Sequence, residues 1–219
     1  MTTSGGVHEF DLAGARLAAL ASGALWWEGQ GLLVVSDLHL GKSERIARGG
    51  GTLLPPYEVA DTLSRLDDLV SSLSPACVIC LGDSFDDIAA AGLPENETLW
   101  LTRMMAGRRW IWIEGNHDPG PVGLGGEHRA ELAYGPLTFR HIAEPSALGE
   151  VSGHYHPKAR IAGQSRPCFL VDGARVVMPA FGTYTGGLSC TSPELSELMA
   201  PGALAILTGR AAVPVPMPR

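Results

Sequence analysis

Three short apolar runs, Leu32 to Ser36, Cys77 to Leu81 and Trp110 to Ile113, alternate with two stretches of helical periodicity. In Tyr57 to Ser74, Val59, Leu63, Leu66, Val70 and Leu73 recur at three- and four-residue spacing, with Asp61, Asp67 and Asp68 between them. That pattern predicts a helix with one buried stripe, closed by Pro75. Pro94 to Glu97 carries helix-start chemistry, and Leu99 to Ala106 continues it as far as Gly107. Strand, helix, strand, helix, strand over 32–118 leaves few folds open: it demands βαβ units and a largely parallel central sheet.

Around this centre the chain is less decided. Ala24 to Glu28 and Leu32 to Ser36 read as two strands joined by a tight turn at Gly29-Gln30-Gly31, while Phe10 to Leu20 is mixed and receives no assignment. From Leu137 on the texture is of short strands: Leu137 to Arg140, Glu150 to Ser152, Cys168 to Val171, Arg175 to Met178 and Ala203 to Leu207, with Asp172-Gly173 as a hairpin signal. Glycines 49–51, Pro55-Pro56 and the stretch Pro119 to Gly126 read as loops. The expected organisation is one domain over 10–208, with a flexible leader at 1–9 and a flexible tail at 209–219.

The apolar runs end in residues that bind metal ions. Leu33 to Val35 leads to Asp37 and His39, Cys77 to Leu81 to Asp83, and Trp110 to Ile113 to Asn116; Leu137 to Arg140 runs into His141, and Glu150 to Ser152 precedes His154 and His156. In an extended chain residues i and i+2 share a face, so Asp37 and His39, and likewise His154 and His156, are expected to point together. Ligands of open α/β sheets bind beyond the carboxyl ends of the strands. One polar residue there is ordinary turn chemistry. An ordered series that, with His117 next to Asn116, holds five of the seven histidines is a metal site, and carboxylate, imidazole and amide donors without thiolate suit Mn, Fe or Zn.

Composition excludes some alternatives. The longest apolar runs are too short to span a bilayer, and Met1 to Gly6 shows neither basic nor apolar signal-peptide region, so a cytoplasmic protein without membrane attachment is expected. Cys77 and Cys80, three apart on a strand, face opposite ways and have no second pair to complete a zinc site, so buried inert thiols are expected. A net charge of -7 argues against gripping nucleic acid by bulk charge, though a local basic groove or bound cations remain compatible with it.

The ordered motifs, Asp37-Leu-His39, Gly82-Asp83, Gly115-Asn-His-Asp118, His141 and Gly153-His-Tyr-His156, resemble the calcineurin-like metallophosphoesterase superfamily over residues 37–156. The resemblance implies an α/β fold, a four-layer αββα sandwich of two mixed sheets flanked by helices. It also implies two divalent ions: Asp37, His39, Asp83 and His156 would hold one, Asp83, Asn116, His141 and His154 the other. Two ions about 3.5–4 Å apart clamp both oxygens of an in-line displacement at phosphorus and supply hydroxide at neutral pH. His117 is then placed to protonate the leaving oxygen, with Asp118 orienting it and a purely structural role as the alternative.

Gly23 to Trp27, Asp37 to Lys42, Gly153 to Pro157 and Pro179 to Gly187 extend the resemblance to the bacterial ligase-associated DNA damage response endonucleases, the PdeM group. This implies a manganese-dependent endonuclease cutting single-stranded or accessible DNA in repair, associated with an ATP-dependent DNA ligase, a helicase and a nuclease. Fold alone does not set substrate; a phosphodiesterase of cyclic nucleotides or nucleotide-linked lipids, and a non-catalytic scaffold, are the alternatives. Lys42, Arg45 and Arg48, in the loop after the first motif, are either phosphate contacts or ordinary surface charge. Tyr184 either stacks on a base or packs.

Overall fold

The computed structural model describes residues 6–43, 46, 50, 57–86, 93–118 and 123–219. The three apolar runs form β4 (Leu32–Ser36), β5 (Cys77–Leu81) and β6 (Arg109–Ile113), paired in parallel. Leu33, Val35, Val78, Cys80, Trp110 and Trp112 face one side, where α1 (Glu58–Leu73) and α2 (Glu95–Met105) supply Leu63, Leu66, Leu101 and Met104. Leu32, Val34, Cys77, Ile79, Leu81, Ile111 and Ile113 face the other side, toward a second sheet. Both helices fall within a residue of the predicted bounds, because their apolar spacing matches a helix turn.

Toward one edge the first sheet continues antiparallel through β3 (Leu25–Trp27), β2 (Ala15–Leu20) and β1 (Val7–Leu12), and toward the other it adds β7 (Glu127–Arg129) in parallel. The second sheet runs β15 (Val213–Pro216), β14 (Leu204–Leu207), β12 (Gln164–Val171), β13 (Arg175–Val177), β10 (Glu150–Ser152), β9 (Leu137–Arg140), β8 (Glu131–Tyr134), with β11 (Lys158–Ile161) paired to β12. Its inner face meets the first sheet through Phe139, Val151, Phe169, Val176 and Ile206. Its outer face carries Leu170, Val177 and Leu207 against Leu195 of α3 (Pro193–Leu198) and the adjoining Met199. The four layers are therefore helix, sheet, sheet, helix, as the motif resemblance implied. No helix among the described residues is long and apolar enough to cross a membrane.

Two expectations change. Val7 to Glu9, placed in a flexible leader, pair with Ala18 to Leu20 in β1. The turn beyond, Ala13-Gly14, has φ of 50° and 84°; an alanine in that conformation is no hairpin signal, and so Phe10 to Leu20 was unreadable. The tail is not loose either: β15 pairs with β14, Met217 is buried, and the Arg219 guanidinium donates to the carbonyl oxygens of Ser196 and Met199. Pro214 and Pro216 are tolerated because β15 is an edge strand. Cys77 and Cys80 do face opposite cores, and burial pushes the Cys80 thiol well above its ordinary range.

Phe169 is fully enclosed between the sheets. Phe169→Ala is expected to lower unfolding stability by about 3–5 kcal/mol through lost transfer energy and the cavity left behind; chemical denaturation measures it.

Candidate metal centre

The parallel strands β4, β5 and β6 end at one edge, as do β9 and β10 of the facing sheet, so their following loops converge. These loops are fastened to one another by backbone hydrogen bonds. The His39 N–H donates to the Asp83 carbonyl at 2.9 Å, Leu40 N–H to Ser84 O at 3.0 Å, Gly153 N–H to His141 O at 3.0 Å, and Phe181 N–H to Ser36 O at 2.7 Å. Asp37, His39, Asp83, His154 and His156 all have left-handed backbone, with φ of 51°, 45°, 43°, 68° and 46°. The paired side chains share a side, but the cause is not strand alternation: each motif has left the extended conformation. Left-handed backbone at a non-glycine residue is unfavourable by roughly 1–3 kcal/mol and persists only where surrounding contacts impose it.

Two neighbouring groups of donors result. Asp37, His39 and His156 form one, with His156 Nε2 3.1 Å from Asp37 Oδ1. Asp83, His141 and His154 form the other, with His141 Nε2 3.3 Å from Asp83 Oδ2 and 3.2 Å from His154 Nδ1. Asn116 Oδ1 joins the second group, 2.9 Å from His141 Nε2. Asp83 also lies 3.9 Å from His39 Nε2, which places it between the groups. All seven expected ligand residues are thus brought together.

The donor atoms fit divalent cations. Among the described residues, His39 Nε2, His141 Nδ1 and His156 Nε2 are buried and have no hydrogen-bond partner, an unfavourable state for polar atoms. His141 Nε2 faces Asn116 Oδ1, Asp83 Oδ2 and His154 Nδ1 at once; one proton satisfies one such acceptor, whereas a cation among them satisfies all. His39 donates from Nδ1 to Asp86 Oδ1 at 2.9 Å, which leaves Nε2 with its lone pair inward. A carboxylate supporting a ligand histidine in this way is a common tuning device.

Charge within the site is uneven. Burial pushes the Asp83 carboxyl upward, but the His141 hydrogen bond and charge, the His117 amide and the charge of His39 outweigh it and hold it at about 2. Burial lowers His141, yet hydrogen bonding to Asp83 and the charges of Asp37 and Asp83 leave it above its ordinary value. His154 is lowered by burial and by His141. Asp118 is pushed up to about 6 by burial, against the amides of Phe85 and Ser84.

Asp118 does not orient His117, contrary to expectation. Its Oδ2 accepts the Ser84 and Phe85 amides at 2.8 and 3.2 Å and so braces the loop carrying Asp83. The His117 ring donates from Nδ1 to the Asp86 carbonyl at 2.9 Å, which keeps Nε2 toward the centre, beside His39 and Asp83. Asp86 therefore supports two histidines, a role that only its closeness in sequence to Asp83 hinted at. Ser36, whose hydroxyl donates to the Asp37 carboxylate, and Gly153 were not foreseen. A Cβ on Gly153 would collide with Ser36 Oγ and Asp37 Oδ2.

Lys42 is half-buried, whereas Arg45 and Arg48 lie outside the described residues. Tyr184 sits on the loop after β13, its ring centroid 6.0 Å from that of exposed Tyr57.

Comparison with known proteins agrees with this geometry. The family described as calcineurin-like phosphoesterase matches residues 32–191. The crystal structure of Pseudomonas putida nuclease MPE is similar at 28% identity and a TM-score of 0.75, covering 95% of this chain and 100% of that one. The E. coli phosphoesterase Yfce is more distant, at 14% identity and a TM-score of 0.39 over 72% of this chain and 83% of its own. No match was found among curated proteins.

Two outcomes follow for metal loading, both measured by equilibrium dialysis with Mn²⁺. Gly153→Ala, which removes no donor but drives a Cβ against Ser36 and the Asp37 carboxylate, is expected to weaken uptake by about tenfold or more, as displaced supporting contacts do. Loading must expel the proton from His141, so affinity is expected to rise with pH through the histidine range, by about tenfold per pH unit where one proton is displaced.

Proposed function

We propose that this chain, which belongs to the calcineurin-like phosphoesterase family, hydrolyses phosphodiester bonds of DNA with two divalent ions, Mn²⁺ foremost, held around Asp83. The observation that carries this reading is the position of Asp83 between the Asp37–His39–His156 and His141–His154 groups. Asp37, His39, Asp83 and His156 would hold one ion, and Asp83, Asn116, His141 and His154 the other. Bound there, the ions would supply Lewis-acid charge and lower the pKa of water. The chain supplies the rest. Asp86 fixes the His39 ring through its carboxylate and the His117 ring through its carbonyl, Asp118 braces the Asp83 loop, and His117 in its imidazolium form would give the Nε2 proton to the leaving oxygen and return to the neutral ring. Support for a nucleic acid as the substrate comes from the similar Pseudomonas putida protein, which is a nuclease; DNA is the choice that the motif resemblance favours. A place in DNA repair beside an ATP-dependent ligase, a helicase and a nuclease is the reading that the motif resemblance favours.

The test is incubation with Mn²⁺ on labelled single-stranded DNA and on a chromogenic phosphodiester. Cleavage of both is expected; hydrolysis of the small ester alone would shift the reading to small phosphodiesters, and of neither would end it. His39→Ala and Asp83→Ala are expected to abolish both activities. Asp86→Ala, which removes a support and no ligand, should weaken metal affinity by about ten- to a hundredfold.

A further inference from the structure

A second hollow opens beside the metal centre. At the cluster, a cavity of about 330 Å³ is bounded by His154, Tyr155, His156, Gly187 and Leu188. Adjoining it is one of about 530 Å³ bounded by Lys158, Arg160, Gly163, Ser165, Gly187 and Ser189. Gly187 belongs to both walls, so the two hollows are neighbours.

Strand geometry makes this surface. Lys158 and Arg160 alternate with buried Ala159 along β11, so their side chains leave the same face. On one side β11 pairs with β12, Arg160 opposite Ser165. On the other, Lys158 bridges to Ser189: the Lys158 N–H donates to Leu188 O at 2.8 Å, and the Cys190 N–H to Lys158 O at 2.9 Å. The Leu188 N–H also donates to Tyr155 O at 3.0 Å. The basic strand and the loop holding His154 and His156 are therefore one fastened unit.

Its cations differ from several others of this chain. Arg65, Arg103, Arg109 and Arg140 each lie within 3.2 Å of a carboxylate oxygen. Among the described residues Lys158 and Arg160 have no acidic partner, and Lys158 Nζ donates only to the Thr185 carbonyl at 3.3 Å. Two uncompensated cations with the hydroxyls of Ser165 and Ser189 make the kind of surface that holds phosphate oxygens without reading bases. Two residues of strand advance about 6.6 Å, near the step between successive phosphates of an extended single strand.

We infer that the Lys158–Arg160 face of β11 is a subsite for the phosphates of the DNA strand flanking the scissile bond. This rests on the DNA reading above and extends it from the metal centre to a direction for the strand.

The experiment follows cleavage of a single strand of about 20 nucleotides with Mn²⁺ over a range of NaCl concentrations. Lys158→Gln/Arg160→Gln is expected to raise KM about tenfold, hold kcat within about twofold, and reduce the slope of log(kcat/KM) against log[salt] by about 1.4, roughly 0.7 for each phosphate lost. Arg160→Gln alone, at an exposed position, should give about half that slope change, and Lys158→Arg/Arg160→Lys should keep the wild-type slope. Wild-type cleavage of DNA with an unchanged slope in Arg160→Gln, or a fall in kcat with KM unmoved, overturns the subsite alone. Wild-type hydrolysis of the small ester without DNA cleavage overturns the DNA reading and the subsite together.

Discussion

Asp83 is a buried carboxylate that stays charged, and much of the site depends on how that is arranged. Burial alone would neutralise it; the hydrogen bond and charge of His141, the amide of His117 and the charge of His39 keep it anionic. Those partners come from the loops after β4, β6 and β9, so the anion is also where the loops meet. The His39 N–H accepts no freedom of its own, being bonded to the Asp83 carbonyl, and the His117 N–H is bonded to Oδ1. Removing the negative charge would leave several histidines with nothing to gather around.

This gathering explains the backbone. Five of the expected ligand residues are left-handed at non-glycine positions, a conformation that local sequence disfavours. The parallel strands deliver the loops to one edge, and the bonds between loops hold each turn in place. Glycine is needed where the approach is closest: at Gly82, φ is +71° and a Cβ would overlap the His141 ring. Rigid elements behind a strained rim are a general way of presenting donors accurately.

The chain is acidic overall, at -7, yet its site is built for a polyanion. Most of the resolution lies in distribution. Several arginines are occupied by carboxylates, as Arg175 is by Glu150 in the interior, and contribute to architecture rather than to a field. Among the described residues Lys158 and Arg160 on β11 keep their charge without a carboxylate partner, and ions bound at the centre would add positive charge there. A local field of this kind can position phosphates while the rest of the surface stays acidic.

The sequence by itself determined the alternation of strands and helices, the order of Asp37, His39, Asp83, Asn116, His141, His154 and His156, and the family. Each rests on a local periodicity or a spacing that the residues carry wherever they are placed. It did not show the β1–β2 hairpin, whose turn at Ala13-Gly14 uses an uncommon residue, or the pairing of β15, whose prolines read as loose chain until an edge strand receives them. Nor did it show that Asp86 rather than Asp118 supports His117, because the support is the Asp86 backbone carbonyl, a group every residue carries, and only the folded loops decide which carbonyl faces the ring. The left-handed turns and the two hollows that share Gly187 came from tertiary structure alone. They depend on contacts between segments as far apart as Asp37 and His154, and no local pattern encodes which distant loop will supply the opposing bond.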